Sequence, residues 1–167
     1  MVNQGDMNVL TEEAVWQALD DVKDPEIPVV SLVEMGIVRD VVVDGDTVTV
    51  TMTPTFSGCP ALRVMEQDIT AKMAELGFAS VSVQTVLAPP WSSDWITDEA
   101  REKLQAFGLA PPMRHNGRIE ITFYAPVVCP YCGSEDTAVK NQFGPTLCRA
   151  IYYCNHCQQP FEQFKAL

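Results

Sequence analysis

The sequence predicts an α+β fold: a small three-stranded sheet with helices packed on one face, followed by a β-rich C-terminal region built around a metal. Three observations carry this expectation. Thr47 to Met52 alternates polar and apolar residues, the two-residue period of a half-buried strand. Leu62, Met65, Ile69, Met73 and Leu76 recur at three- and four-residue steps, the period of an amphipathic helix. Two Cys-x-x-Cys pairs, Cys129 with Cys132 and Cys154 with Cys157, stand in the last quarter of the chain at metal-ligand spacing.

The elements follow in order. Thr11 before Glu12 and Glu13 reads as a helix start, a hydroxyl cap with carboxylates in the first turn. Val15, Ala18, Leu19 and Val22 give that helix an apolar face. Asp24-Pro25 ends it, because the residue before proline is pushed out of the helical region. Asp24 to Gly36 is then an irregular connection, longer than chain reversal needs, and such loops often carry a site. Its acidic residues could equally be solvated charges. Ile37 to Val43 reads as a strand, Asp44-Gly45 as a hairpin turn, and Thr47 to Thr53 as the returning strand. The helix after Cys59 ends at Gly77, and Val81 to Val86 supplies the third strand.

A loop rich in proline and tryptophan, Leu87 to Trp95, leaves the sheet. Trp91 and Trp95 either roof the core or anchor a partner. Thr97 caps a further helix that reaches Phe107 and stops at Gly108. Residues 1–109 thus form one α/β domain, and residues 110–117 read as a linker. Residues 118–167 form a second unit, opening with a strand from Arg118 to Ala125.

Two residues between cysteines let both sulfurs of a pair face one metal, and two such knuckles complete a tetrahedral four-thiolate site. The 21 residues between Cys132 and Cys154 leave room for a hairpin across Lys140 to Tyr153. The expectation is a zinc ribbon held by Cys129, Cys132, Cys154 and Cys157. Its core is too small to fold unaided, so metal binding would supply the folding energy. Rubredoxin-like iron, a thioredoxin-like redox pair and two disulfides are the alternatives. Against them, Gln158 stands where a rubredoxin knuckle carries glycine, and neither pair has a strand-to-helix setting. A reducing compartment disfavours disulfides. His156 lies inside a knuckle and reads as a bystander, since four cysteines fill the four positions.

Cys59 sits where a strand turns into a helix, with Pro60 suited to the first helical position. A helix N-terminus would favour its thiolate, making it a candidate nucleophile or metal ligand. The alternative is a buried packing cysteine. Cys148 is surplus to the four-cysteine set. It is either a strand cysteine beside Ile151 or a second thiol able to share a metal with Cys59 if the C-terminal unit folds back.

A net charge of −11 with scattered Lys and Arg argues against nucleic-acid binding. No apolar run approaches the roughly 18 to 20 residues of a membrane span, and the first residues lack a secretory leader. A cytoplasmic protein that does not act at a membrane is expected. The chain shows no Glu-x-x-His di-iron signature, phosphate loop or dinucleotide fingerprint.

Asp24-Pro25-Glu26-Ile27-Pro28, Met35-Gly36-Ile37-Val38, Thr53-x-Thr55 and Gly58-Cys59-Pro60 together resemble the SufT-type iron–sulfur cluster assembly domain, over about Thr11 to Val86. Pro89-Pro90-Trp91-Ser92-Ser93-Asp94-Trp95, the two cysteine pairs, Phe143-Gly144-x-Thr146-x-Cys148 and Pro160-Phe161-x-x-Phe164-Lys165 extend the likeness. The whole chain resembles the PaaD family, accessory proteins of the phenylacetyl-CoA epoxidase system. Pro145 departs from the serine expected in that motif, which removes only a hydroxyl role there. The resemblance implies a non-catalytic accessory protein of phenylacetate catabolism, distinct from the oxygenase and reductase subunits that would be its partners. It implies that Cys59 handles iron or an iron–sulfur cluster, with Asp24, Glu26, Thr53 and Thr55 as its supporting surroundings. Zinc would be the structural ion, the iron or cluster a transient cargo, and a homodimer is an open alternative to a single chain. A thiol oxidoreductase using Cys59 and Cys148, and a purely structural adaptor of the oxygenase complex, are the competing readings.

Overall fold

The computed structural model describes residues 10–118 and 126–167. The expected strand from Arg118 to Ala125 falls largely outside them.

Helix α1 spans Glu12–Leu19, and the Thr11 hydroxyl accepts the Ala14 N–H at 3.2 Å. It ends earlier than Pro25 requires, with Asp20 as its C-cap, while Val22 stays buried in the following turn. The connection from Asp24 to Gly36 is as much core as loop: Ile27, Val30, Leu32 and Met35 are all buried. Lys23 bridges to Ser31, and Leu32 N–H donates to Val22 carbonyl at 2.9 Å, so the loop is stitched back onto its own entry. Gly36 closes it at φ +65, and a Cβ there would lie 2.6 Å from Cβ of Trp95. Only glycine accommodates both that backbone and that contact.

Strand β1 (Val38–Asp44) pairs antiparallel with β2 (Thr47–Met52), placing Val41 opposite Val50 and Val43 opposite Val48. The alternation read from the sequence holds, for Val48, Val50 and Met52 are fully buried while the threonines between them are half-buried. Helix α2 (Leu62–Leu76) then crosses over, and β3 (Ser80–Thr85) pairs parallel with β2. Met65, Ile69 and Met73 form the buried stripe of α2, and left-handed Gly77 ends the helix. These residues share one core with Val15 and Leu19 of α1. Burying each aliphatic side chain contributes about 1.5–3 kcal/mol, which is why the pattern and not local propensity sets this sheet.

The tryptophan loop packs inward at its first tryptophan. Trp91 is buried, its indole N–H donates to the Met35 carbonyl at 3.0 Å, and its ring lies 5.8 Å from that of Phe164. Trp95 is half-buried under the Arg39 guanidinium, 3.6 Å above its ring. Helix α3 (Asp98–Phe107) follows, with Thr97 accepting the Ala100 N–H and Gly108 as a left-handed C-cap.

A four-stranded sheet completes the chain in the order β4-β7-β6-β5. Its members are β4 (Leu109–Ala110), β5 (Thr137–Asn141), β6 (Arg149–Cys154) and β7 (Pro160–Phe164). The hairpin expected between the cysteine pairs is β5–β6, antiparallel, and β6–β7 continues it. Strand β4 pairs parallel with β7, so Ala110, which composition assigns to the linker, is hydrogen-bonded into this sheet opposite Gln163. Phe164 is buried in the core that also holds α1 and α2. The Leu167 carbonyl accepts Ser93 N–H at 3.0 Å and approaches His115 Nε2 at the same distance. The two sequence units therefore share a strand pairing and a core.

Candidate functional site

Cys59 lies in the turn between β2 and α2. Its N–H donates to the Phe56 carbonyl at 3.1 Å, and its own carbonyl accepts Leu62 N–H at 3.2 Å. The helix begins only at Leu62, with Ala61 as an N-cap that offers no side-chain acceptor. Pro60 therefore precedes the helix instead of opening it, which corrects the sequence expectation. The thiol is half-buried.

The thiolate expected from a helix N-terminus is not favoured here. Burial pushes the Cys59 thiol up from its ordinary value, and the charges of Glu26, Cys148 and Asp24 add to the rise. A hydrogen bond from the Ala61 backbone is the one opposing influence. The physical reason is that helix polarity falls off within a turn and the helix begins only at Leu62, whereas burial and the negative charges of Glu26 and Asp24 oppose the thiolate.

That loop is preorganised. Asp24 Oδ1 accepts Glu26 N–H at 2.8 Å and Ile27 N–H at 3.0 Å, fixing the turn that presents both acids. Burial raises the Asp24 carboxyl, while the two N–H groups and Arg149 oppose the rise. Asp24 and Glu26 are half-buried rather than freely solvated. Thr53 is buried and donates its N–H to the Ile37 carbonyl at 2.8 Å, and Thr55 is half-buried. Among the described residues neither threonine hydroxyl is hydrogen-bonded to Cys59.

Cys148 arrives from the β5–β6 connection. Its thiol lies 3.1 Å from the Thr146 hydroxyl, and it packs against the same core as Cys59. Burial raises this thiol first; Glu26 and Asp24 raise it further, against Thr146 and Arg149. Arg149 gave no signal in the sequence beyond being the sole Lys or Arg between Lys140 and Lys165. It joins the two units: Nη1 donates to Glu162 at 2.9 Å and Nη2 to the Glu26 carbonyl at 3.0 Å.

The second centre is the cysteine cluster. Cys129, Cys132, Cys154 and Cys157 bring their sulfurs within 4.8 Å of one another, and among the described residues no other set of three or more ligands does so. Cys129 and Cys157 sulfurs are 3.7 Å apart, those of Cys132 and Cys154 3.6 Å. Zn–S bonds of about 2.3 Å in a tetrahedron put sulfurs about 3.8 Å apart, so the donor set fits a tetrahedral thiophilic ion. The Cys157 N–H points at Cys154 Sγ from 3.5 Å and draws that thiol down to about 6. His156 is not part of the cluster. Tyr131, within the first knuckle, approaches Gly108 so closely that a Cβ there would lie 3.2 Å from its ring. The metal-binding loop thus abuts the C-cap of α3.

Residues 12–85 match the iron-sulfur cluster assembly protein family, and residues 121–165 match the PaaD zinc beta ribbon domain. The chain is 39% identical, over 92% of its length and 92% of the relative's, to a protein of Escherichia coli (strain K12). That relative is provisionally assigned as one of the subunits of 1,2-phenylacetyl-CoA epoxidase. A Fe-S protein maturation auxiliary factor of Porphyromonas gingivalis is 36% identical over 56% of this chain and 90% of its own. The structure of a domain of unknown function, DUF59, from Bacillus anthracis superposes with a TM-score of 0.53 at 30% identity, covering 56% of this chain and 90% of that one.

Proposed function

Because the chain belongs to the PaaD family of phenylacetyl-CoA epoxidase components, with an iron–sulfur assembly domain followed by a PaaD zinc ribbon, we propose that it is a maturation factor for that oxygenase system. It takes up iron or an iron–sulfur cluster on Cys59 and passes it to an oxygenase or reductase subunit, without itself carrying out the ring epoxidation. It works in the cytoplasm, on protein partners.

The observation that carries this reading is the setting of Cys59: a half-buried thiol held neutral by burial and by the charges of Asp24 and Glu26. Such a thiol is a poor nucleophile at neutral pH. A cation reverses the balance, because it replaces the thiol proton and neutralises the same carboxylates. Thiolate supplies the soft donor and carboxylate the hard one, a combination that iron accepts. One sulfur on a turn gives a ligand that can be surrendered. Thr53 and Thr55 line that turn and shape it.

The ribbon site has the opposite character. Four sulfur donors close a tetrahedron and leave no open position, which suits a structural zinc held by Cys129, Cys132, Cys154 and Cys157. Zinc there would supply folding energy and no chemistry.

A second reading has one observation in its favour, the convergence of Cys148 on the Cys59 surroundings. Two thiols could cycle with a disulfide substrate. Reduction of such a substrate by the isolated chain, lost in Cys59→Ser, would favour that oxidoreductase reading.

The maturation reading is tested in cells. Cys59→Ser keeps the size and the ribbon zinc, but serine is a poor soft-metal ligand. Growth on phenylacetate should fall, and the oxygenase complex recovered from those cells should be short of iron. Normal iron content with low turnover would place this chain inside the reaction cycle and overturn the maturation reading.

A further inference from the structure

No Asp or Glu occurs from Thr137 to Phe161, the longest acid-free stretch in a chain that carries 22 of them. Strands β5 and β6 and the turn between them lie inside it. Among the described residues Phe143, in that turn, is the most exposed large hydrophobic side chain, at 67%. Leu147, four positions on, is 49% exposed. Leaving both in water forgoes the stabilisation that burial would bring, so the fold gains nothing from them there.

The turn that exposes them is nevertheless tightly built. Phe143 N–H donates to Asn141 Oδ1 at 2.9 Å, Gly144 N–H to the Arg149 carbonyl at 2.9 Å, and Arg149 N–H to that of Thr146 at 3.1 Å. A Cβ on Gly144 would lie 3.1 Å from the Arg149 backbone, a crowding that glycine avoids. Lys165, just past β7, clasps the turn. Its N–H donates to the Cys148 carbonyl at 2.8 Å, its Nζ to the Leu147 carbonyl at 2.9 Å, and Nζ stands 5.1 Å from the centre of the Phe143 ring. Lys140 of β5 lies in the same manner over Tyr153, at 5.2 Å. Among the described residues neither lysine is paired with a carboxylate. The inner side of the turn grips the assembly domain, for Arg149 Nη2 donates to the Glu26 carbonyl at 3.0 Å.

We propose that the Phe143–Leu147 turn is a docking knob for the oxygenase complex, seated there in an apolar recess rimmed by Asp and Glu. This deepens the maturation reading and rests on it: it names the surface by which the recipient of the iron is held. An aromatic anchor with charges at its edge has the make-up of an interface centre and its rim. Holding the anchor in place before contact lowers the ordering cost of binding. At physiological ionic strength charges act over about 8 Å, so the unpaired lysines beside the knob, and not the net −11, set the sign of the surface that fits it. Because Arg149 ties the turn to Glu26, a partner seated on the knob lies beside the Asp24 loop.

The probe is the oxygenase complex purified free of this chain, its binding to the zinc-loaded full-length chain followed by interferometry. Phe143→Ser should weaken binding by about thirtyfold or more, the scale of an interface hot spot. Lys140→Glu should slow association, and the slowing should grow as salt is lowered. Val42, 51% exposed on β1, is the control, and Val42→Ser should bind as the parent chain does. Zinc content and circular dichroism of each variant report its folding. As an independent measurement, photoreactive benzoylphenylalanine in place of Phe143 should cross-link to an oxygenase-subunit peptide that contains Asp or Glu, read by mass spectrometry.

Equal affinity of Phe143→Ser and the parent chain, or an equal loss in Val42→Ser, would overturn the knob while leaving the maturation reading in place. Cross-links chiefly between two copies of this chain, or to the reductase, would overturn it in favour of those occupants. A parent chain that binds the oxygenase complex neither metal-free nor loaded with iron would overturn both this inference and the reading it rests on.

Discussion

At Cys59 the carboxylates of Asp24 and Glu26 act with burial against the thiolate, and only the Ala61 backbone acts for it. The consequence is measurable in the metal-free chain. Alkylation rate follows the thiolate fraction. With its pKa raised above 9.0, Cys59 should react slowly at pH 7–8 and accelerate only as pH climbs beyond 9. Asp24→Asn removes one opposing charge and should shift that profile toward lower pH. A profile centred below 9.0 in the parent chain would contradict the electrostatic picture. The sequence made the cysteine legible, because a strand alternation and a helix period bracket it. Its charge state was not legible. The helix starts two residues later than proline suggested, and the acids that matter stand more than thirty positions upstream. Trp91 was open to two readings, since burial depends on Phe164, a residue from the far end of the chain.

The elements of the first half were readable because each declares itself through local periodicity. Thr47–Met52 and Leu62–Leu76 came out as strand and helix with little change at their ends. Strand β4 was not readable: two residues after a glycine cap carry no period, and their partner Glu162-Gln163 lies more than fifty positions on. Strand β7 changes what metal loss should do. A ribbon joined only by a linker would melt alone. Here Phe164 is embedded beside Trp91 in the shared core, and Ser93 and Leu167 exchange hydrogen bonds. Cys129→Ala should release the zinc and also lower the urea midpoint of the first half, followed by tryptophan fluorescence. Phe164→Ala should cost about 3–5 kcal/mol in the same measurement, the usual range for emptying a buried phenylalanine site. A first-half midpoint indifferent to both changes would show that the units fold independently.

On the scale of the molecule, the four-cysteine cluster and the Cys59 turn differ in character. The ribbon cluster has four sulfurs at mutual distances that close a tetrahedron. Cys59 is half-buried, and the negative charges of Glu26 and Asp24 act on it. Arg149 and strand β4 link them, so that the turn bearing Cys148 is set against the assembly domain. Among the described residues no helix is long and apolar enough to cross a membrane. The proposed division of labour, one ion kept and one passed on, predicts how iron should move. The most direct measurement loads the chain anaerobically with isotopically labelled ferrous iron or a reconstituted cluster, then mixes it with iron-depleted oxygenase complex in the presence of excess chelator. The account predicts that label moves to the complex and activity returns, and that the Cys59→Ser chain, with its zinc intact, transfers none. Capture of all the label by the chelator, or equal transfer from the Cys59→Ser chain, would contradict it.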